Sequence, residues 1–355
     1  MNWTDCLGKV KELEGKGIFD ADVFKEVLHQ LPYFYKEDEI FRLRFENAFP
    51  CGMPNNDNLT DPLLIPLVRW VKMLSLEIVH RPYNFTNLFC FHVQSNIKGK
   101  NFLEVGGFLP KEIVIDLFQV DSYLSIEGEE YVNQFELVSE TYYEKSDSKD
   151  DNHRQIIADI ESVSPERLPV KFDRVFSVAC FEHIHDLESA LERISSLMSK
   201  EGILYTYFAP IYSHFSLGDH GVIDRDLMPD QSDRNGLHIL GSKSQSERLI
   251  KVGLKNNVDI QNALGMIHFD RSINRLYYED YSRILSESPL FLLRFDQIRD
   301  KNMYKVFHKE IDLIRATNKR VNDLTTSGVR AVLAKAPDSN FIESWPFEKW
   351  QKQKK

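Results

Sequence analysis

From residue 100 onward, short apolar runs bounded by turn residues alternate with amphipathic helical patterns. "NFLEVGG" reads as a strand ending at glycine, "PKEIVIDLF" as a helix, and "SYLSIE" and "RQIIADI" as strands that each end near an acid. "FDRVFSVA" is a fourth strand, "DLESALERISSLM" an amphipathic helix and "GILYTYFAPI" a fifth strand. Such alternation predicts a parallel sheet with right-handed crossovers and a ligand at the carboxyl ends of its strands. Residues 212–275 break the rhythm, being rich in Gly, Ser, Asp and His and too long for a plain connection. The pattern then resumes with the helix "YYEDYSRILSES", the strand "FLLRFDQIR", a helix around "YKVFHKEIDLIRATNK" and a last strand, "GVRAVLAKA".

Upstream the period is helical. "DADVFKEVLHQL" carries apolar positions at helix spacing behind an Asp able to cap it, and "LLIPLVRWVKMLSLEIV" is a longer apolar-faced segment. The intervening "PCGMPNNDNLTDP" is loop by composition. Residues 1–95 therefore read as a helical extension, 96–336 as the main domain with an insertion at 212–275, and 337–355 as a tail.

Of the 355 residues, 42% are hydrophobic and 28% charged, a globular mixture with ample core. The net charge of −10 and the lack of a sustained basic run outside "QKQKK" argue against nucleic acid as a partner. No stretch approaches the ~20 apolar residues that span a bilayer. The N-terminus lacks a signal-peptide core. The four scattered cysteines suit reduced thiols, and the expectation is a soluble cytoplasmic protein without a membrane partner.

The loop "GGFLP" places Gly106 and Gly107 where backbone must approach a ligand, and Pro110 suits the first turn of the next helix. A dinucleotide loop would carry G-x-G-x-x-G to seat a pyrophosphate, and the third glycine is missing here. A cofactor without phosphates needs less. Glu127 ends the second strand about 20 residues beyond the glycines, in the range of an acid that accepts ribose hydroxyls. Asp159, after the third strand, can accept from an adenine amino group.

With these residues in view, the chain resembles the class I S-adenosylmethionine (SAM)-dependent methyltransferases. "FLEVGG" resembles the family's first motif, with Glu104 as its acid, and "SYLSIE" the second-strand motif. The block from "ADIES" to "GILYTYFAP" resembles the central motifs, including "LP", "FD-x-V" and Glu182-His183, although Glu201 stands where a glycine is common. The loop departs from Gly-x-Gly-x-Gly. It is similar to a subgroup with a "LEIGG-x-x-P" motif encoded near surface-glycan genes, and "FAPIYSHFSLGDHG" resembles a further element of that subgroup. The resemblance implies a Rossmann-like, mostly parallel seven-stranded α/β sheet flanked by helices, with SAM as cofactor. It also implies that Glu127 holds the ribose and that Asp159 and Ile160 flank the adenine. Gly106 and Gly107 would approach the carboxypropyl part, while Ser177 and Ala179 border the cofactor.

SAM brings an activated methyl group, so the protein must align an acceptor and remove a proton. A hydroxyl acceptor needs a base, commonly histidine. His183, His185, His214 and His220 follow the fourth strand; His185 reads as a surface residue, and His220 in "GDHG" is the favoured base, with His214 and His183 behind it. Neither "HIHD" nor "HFSLGDH" has metal-ligand spacing. The expected function is methyl transfer to a hydroxyl, less readily an amine, of a small-molecule acceptor such as a sugar or sugar nucleotide, in polysaccharide biosynthesis by subgroup analogy. A SAM-binding scaffold and an NAD-dependent oxidoreductase on a similar sheet remain the alternatives, and a homodimer is left open.

Overall fold

The computed structural model describes residues 2–50, 59–78, 82–128, 152–168, 170–214, 261, 273–299 and 326–336. Five helices come first: α1 (Trp3–Gly15), α2 (Ala21–Glu37), α3 (Glu39–Ala48), α4 (Leu64–Ile78) and α5 (Pro82–Ser95). The sheet follows with β1 (Asn101–Val105), β2 (Ser122–Glu127), β3 (His153–Ile157), β4 (Phe172–Val178), β5 (Met198–Phe208), β6 (Phe291–Arg299) and β7 (Thr326–Ala334). Helix α6 (Leu187–Leu197) lies between β4 and β5, and α7 (Tyr278–Glu287) precedes β6. The helix expected around residues 304–319 and most of the 212–275 insertion lie outside the described residues.

Local chemistry starts the helices where the sequence suggests. Asp20 accepts from Asp22 N and Val23 N at 3.0 Å to open α2, and Asp186 accepts from Ser189 N at 3.0 Å to open α6. The segment after the glycine loop is shorter than its pattern suggested. It forms one π-helical turn, Glu112–Leu117, and Gln119 at φ +56° then turns the chain into β2. Strand β5 begins at Met198, four residues earlier than its apolar run, because a register irregularity against β4 absorbs the polar start.

The strands run in the order β3-β2-β1-β4-β5-β7-β6. All are parallel except β7, which pairs antiparallel with both β5 and β6. Successive strand residues point to opposite faces, and both faces are covered. Phe102, Tyr123, Phe176, Tyr205 and Val332 join the core of α1–α5. Leu103, Leu124, Val175, Leu204 and Leu333 join that of α6 and α7. Two-sided burial explains why the inner strands β1, β2, β4 and β5 read as near-continuous apolar runs, whereas the edge strands β3 and β6 are less buried and more polar.

The first five helices are thus one wall of the sheet's own core. Buried polar groups tie them there. Arg174, at the start of β4, donates to the Ser95 carbonyl at the end of α5 (2.6 and 3.0 Å). Glu46 of α3 takes the Tyr35 hydroxyl (2.6 Å) and pairs with Arg294 of β6 (3.0 Å); Asp296 in turn pairs with Arg294 and with the fully buried Arg330 of β7.

Candidate functional site

Chain order reverses between β1 and β4, and in open α/β sheets the crevice outside the strand ends at that point takes the ligand. The residues that follow β1 and β4 meet there. Gly106 continues the ladder, its N–H donating to the Ile126 carbonyl at 2.9 Å, and it turns with φ +80°. A Cβ on Gly106 would lie less than 3.0 Å from Cys180 Sγ and Cβ. The glycine is therefore required by the closure of the two strand ends on each other, a reason the motif alone did not reveal. Gly107 is held likewise by Glu104, whose carboxylate occupies the space a Cβ would fill.

Glu104 is 1% exposed. Its carboxylate accepts from Leu109 N (2.9 Å) and from the Tyr123 hydroxyl. Ser177 is also buried, donating to the Val105 carbonyl at 2.9 Å and tying β4 to β1 at their carboxyl ends. Ala179 has φ +52°, a left-handed conformation that a non-glycine residue adopts at a cost of about 1–3 kcal/mol. Its N–H donates to Tyr207 O at 2.8 Å, so the strain is held by the sheet.

Glu127 is buried at the end of β2, and its carbonyl accepts from Ala158 N at 2.9 Å. Asp159 is exposed; its carboxylate would stand 3.5 Å from a Cβ on Gly128, beside Glu127. Ile160 is buried below it and starts the short turn Ile160–Ser162. Two groups that motif reading missed complete this edge. Burial, then the neighbouring Glu127 and Glu182 carboxylates, push the Cys180 thiol well above its ordinary range, which keeps it protonated. Burial, followed by the nearby Asp159 and Asp186, raises the Glu161 carboxyl. Gly106, Glu127, Asp159, Glu161 and Cys180 thus lie near one another at the carboxyl ends of β1, β2, β3 and β4, an acid-rich edge. Acids at such an edge repel a pyrophosphate and favour a ligand with positive charge.

The Glu182-His183 turn is braced from a distance. His183 is half-buried, and its N–H closes the turn onto the Cys180 carbonyl at 2.8 Å. Asn274 donates its side-chain amide to Phe181 O (2.7 Å) and Ile184 O (2.8 Å), and takes the Tyr281 hydroxyl at 2.7 Å. No spacing signal reveals a brace some ninety residues away. His214 is buried after β5, its N–H on the Ile211 carbonyl at 3.0 Å. His220 lies outside the described residues.

A family profile described as a methyltransferase domain matches residues 130–206, the stretch holding β3, β4, the Glu182-His183 turn and α6. Over these residues the chain is similar to a methyltransferase domain. No curated protein matches the chain in sequence. Among solved structures, the chain is similar to a SAM-dependent methyltransferase from Mesorhizobium loti: 9% identity, 67% of this chain and 92% of that one covered, TM-score 0.35. It is also similar to Haemonchus contortus phosphoethanolamine N-methyltransferase 2 in complex with SAM (11% identity, 86% and 60% covered, TM-score 0.39). A third is the plantazolicin methyltransferase BpumL in complex with S-adenosylhomocysteine (12% identity, 94% and 99% covered, TM-score 0.34). Likenesses at this level carry nothing about the acceptor. The glycine loop lies upstream of the matched stretch, so its part in the site rests on its geometry at the switch point. Among the described residues, no helix is long and apolar enough to cross a membrane and no trio of His, Cys, Asp or Glu is grouped to hold a metal ion.

Proposed function

We propose that the domain transfers the methyl group of SAM to a hydroxyl of a small polar acceptor, a sugar or sugar nucleotide being the first class to examine. SAM would lie across the carboxyl ends of β2, β1 and β4. Glu127 accepts the ribose hydroxyls, while Asp159 and Ile160 flank the adenine. Gly106 and Gly107 face the methionine part, and Ser177 and Ala179 line the β4 side. Glu104 acts from beneath, shaping the loop. His220 is the favoured base, with His214 and His183 as the other histidines on the acceptor side of β4 and β5.

The observation that carries this reading is the meeting of Gly106 and Cys180 at the switch point, with Glu127 and Cys180 close enough for the carboxylate to raise the thiol. Once SAM is bound, its sulfonium supplies the methyl electrophile. The chain's own residues then bind the adenosyl part, shape the floor and accept the acceptor's proton at a histidine nitrogen. Calorimetric titration of the full chain with S-adenosylhomocysteine, with NAD as control, tests the cofactor assignment. Micromolar binding of the first and none of the second is expected; NAD binding alone would overturn it. Turnover of a sugar-nucleotide panel then tests the acceptor class.

A further inference from the structure

The loop after β1 lacks the third glycine and the long helix that would ordinarily hold such a loop in place. Side chains of β2 and β3 hold it instead. Leu109 N–H lies 2.9 Å from Glu104 Oε2 and 2.7 Å from the Tyr123 hydroxyl oxygen, which itself donates to Glu104. His153 Nε2 meets the Leu109 carbonyl at 3.0 Å, and Ser125 donates to the Gly107 carbonyl. The His153 ring stacks on Tyr123 with centroids 4.7 Å apart and planes 13° apart, and Phe108 packs against His153 at 4.9 Å. Tyr123, Ser125 and His153 are all buried.

Register explains how they converge. Glu104 pairs with Ser125, and Tyr123 pairs with His153, so these four side chains stand on one face of three adjacent strands. Burial, then the Glu104 carboxylate beside it, push the Tyr123 phenol well above its ordinary value. It therefore remains a donor throughout the neutral range. Both the Gly107 and Leu109 carbonyls are drawn into the protein. That removes two partial negative charges from the side of the loop where a cofactor carboxylate would rest.

We propose that Tyr123, Ser125 and His153 are positioning residues that set the cofactor loop in place of the absent third glycine and helix. The proposal rests on the reading of Gly106–Pro110 as the SAM-facing loop. The clamp is stated for the backbone of Gly107–Leu109 alone, and none of the three side chains needs to touch the cofactor.

The test uses the full chain and S-adenosylhomocysteine as probe. Tyr123→Phe and His153→Ala should each weaken binding about tenfold or more, the effect of misplacing a preorganised contact. His153→Gln keeps an amide donor able to reach Leu109 O and should recover most of the loss. Tyr205→Phe is the structural control: it removes a buried hydroxyl on the same face, bonded to Asn87 at 2.5 Å, away from the loop. It should lower the melting temperature while leaving affinity unchanged. If Tyr123→Phe and His153→Ala bind like the wild type, the clamp does not position the loop. If Tyr205→Phe loses as much affinity as they do, or His153→Gln recovers nothing, the role is structural and the proposal falls. Wild-type protein that binds no S-adenosylhomocysteine would instead overturn the cofactor-loop reading and the clamp with it.

Discussion

Gly106→Ala tests the contact that closes the floor of the site. Two costs add. At φ +80° a residue with a Cβ loses about 1–2 kcal/mol relative to glycine. The new methyl would also stand less than 3.0 Å from Cys180 Sγ and Cβ, and overpacking of this kind costs about 1–3 kcal/mol. The sum, about 2–5 kcal/mol, is large against a typical stability of about 5–15 kcal/mol, but most of the protein should still fold. Cys180→Gly removes both offending atoms and leaves its Cα at 3.6 Å, an ordinary contact. In that background Gly106→Ala should lose only the backbone part. Urea unfolding of the four members of this double-mutant cycle should therefore give a favourable coupling of about 1–3 kcal/mol. A Gly106→Ala variant within about 0.5 kcal/mol of the wild type would refute the close approach of the strand ends. So would an equal loss in both backgrounds, because the steric part would then not reside in Cys180.

Three further outcomes are expected. Glu127→Ala should weaken S-adenosylhomocysteine binding more than about tenfold, or roughly 1.4 kcal/mol, and unchanged affinity by calorimetry would remove Glu127 from the site. His220→Ala should lower turnover of a responsive acceptor by roughly 100-fold or more with cofactor affinity kept; if only His214→Ala or His183→Ala does so, the base is reassigned. Burial pushes His29 down to about 4 and His92 down to about 3 from 6.5, so both are neutral when folded, whereas the unfolded chain protonates them near 6.5. The unfolded state then binds more protons below that value, and stability should fall as pH drops from 6.5 towards 4. Urea midpoints near pH 7 and pH 5 should show that loss, and His29→Gln should reduce it; parallel pH slopes in the two proteins would refute the role of His29.

How much was legible depended on whether a feature leaves a local pattern. Strands β1 and β2 fall where "NFLEV" and "SYLSIE" place them, because two-sided burial writes continuous apolar runs, and the edge strand β6 falls where "FLLRFDQIR" places it although only Leu293 of it is buried. Asp20 and Asp186 announce their helices because capping is a contact two or three residues long. The antiparallel direction of β7 left no trace, since pairing direction is decided by a partner elsewhere in the chain. The early start of β5 is hidden by polar Ser199, Lys200 and Glu201, which join the strand through a shifted register. Around the switch point, Gly106 and Glu127 were visible as residues at strand ends, and the structure has both there. Cys180, Asn274 and His153 were not, because each acts through a neighbour brought close only by folding.

The polar row beneath the loop is hard to explain as a stability device. Phe102, Tyr123 and Phe176 fill this face of the sheet with aromatic packing, yet one pleat further along stand Glu104 and Ser125. A carboxylate 1% exposed in mid-sheet costs several kcal/mol of desolvation, which its donors offset, and a buried charge network is often no more stable than the apolar residues that could replace it. Replacement would, however, remove the partners that fix the Leu109 N–H and the neighbouring carbonyls. The row thus gives specificity of backbone geometry to the one turn that lies at the switch point between β1 and β4. On the proposed clamp, the constraint on the loop would lie in β2 and β3 as much as in the glycines.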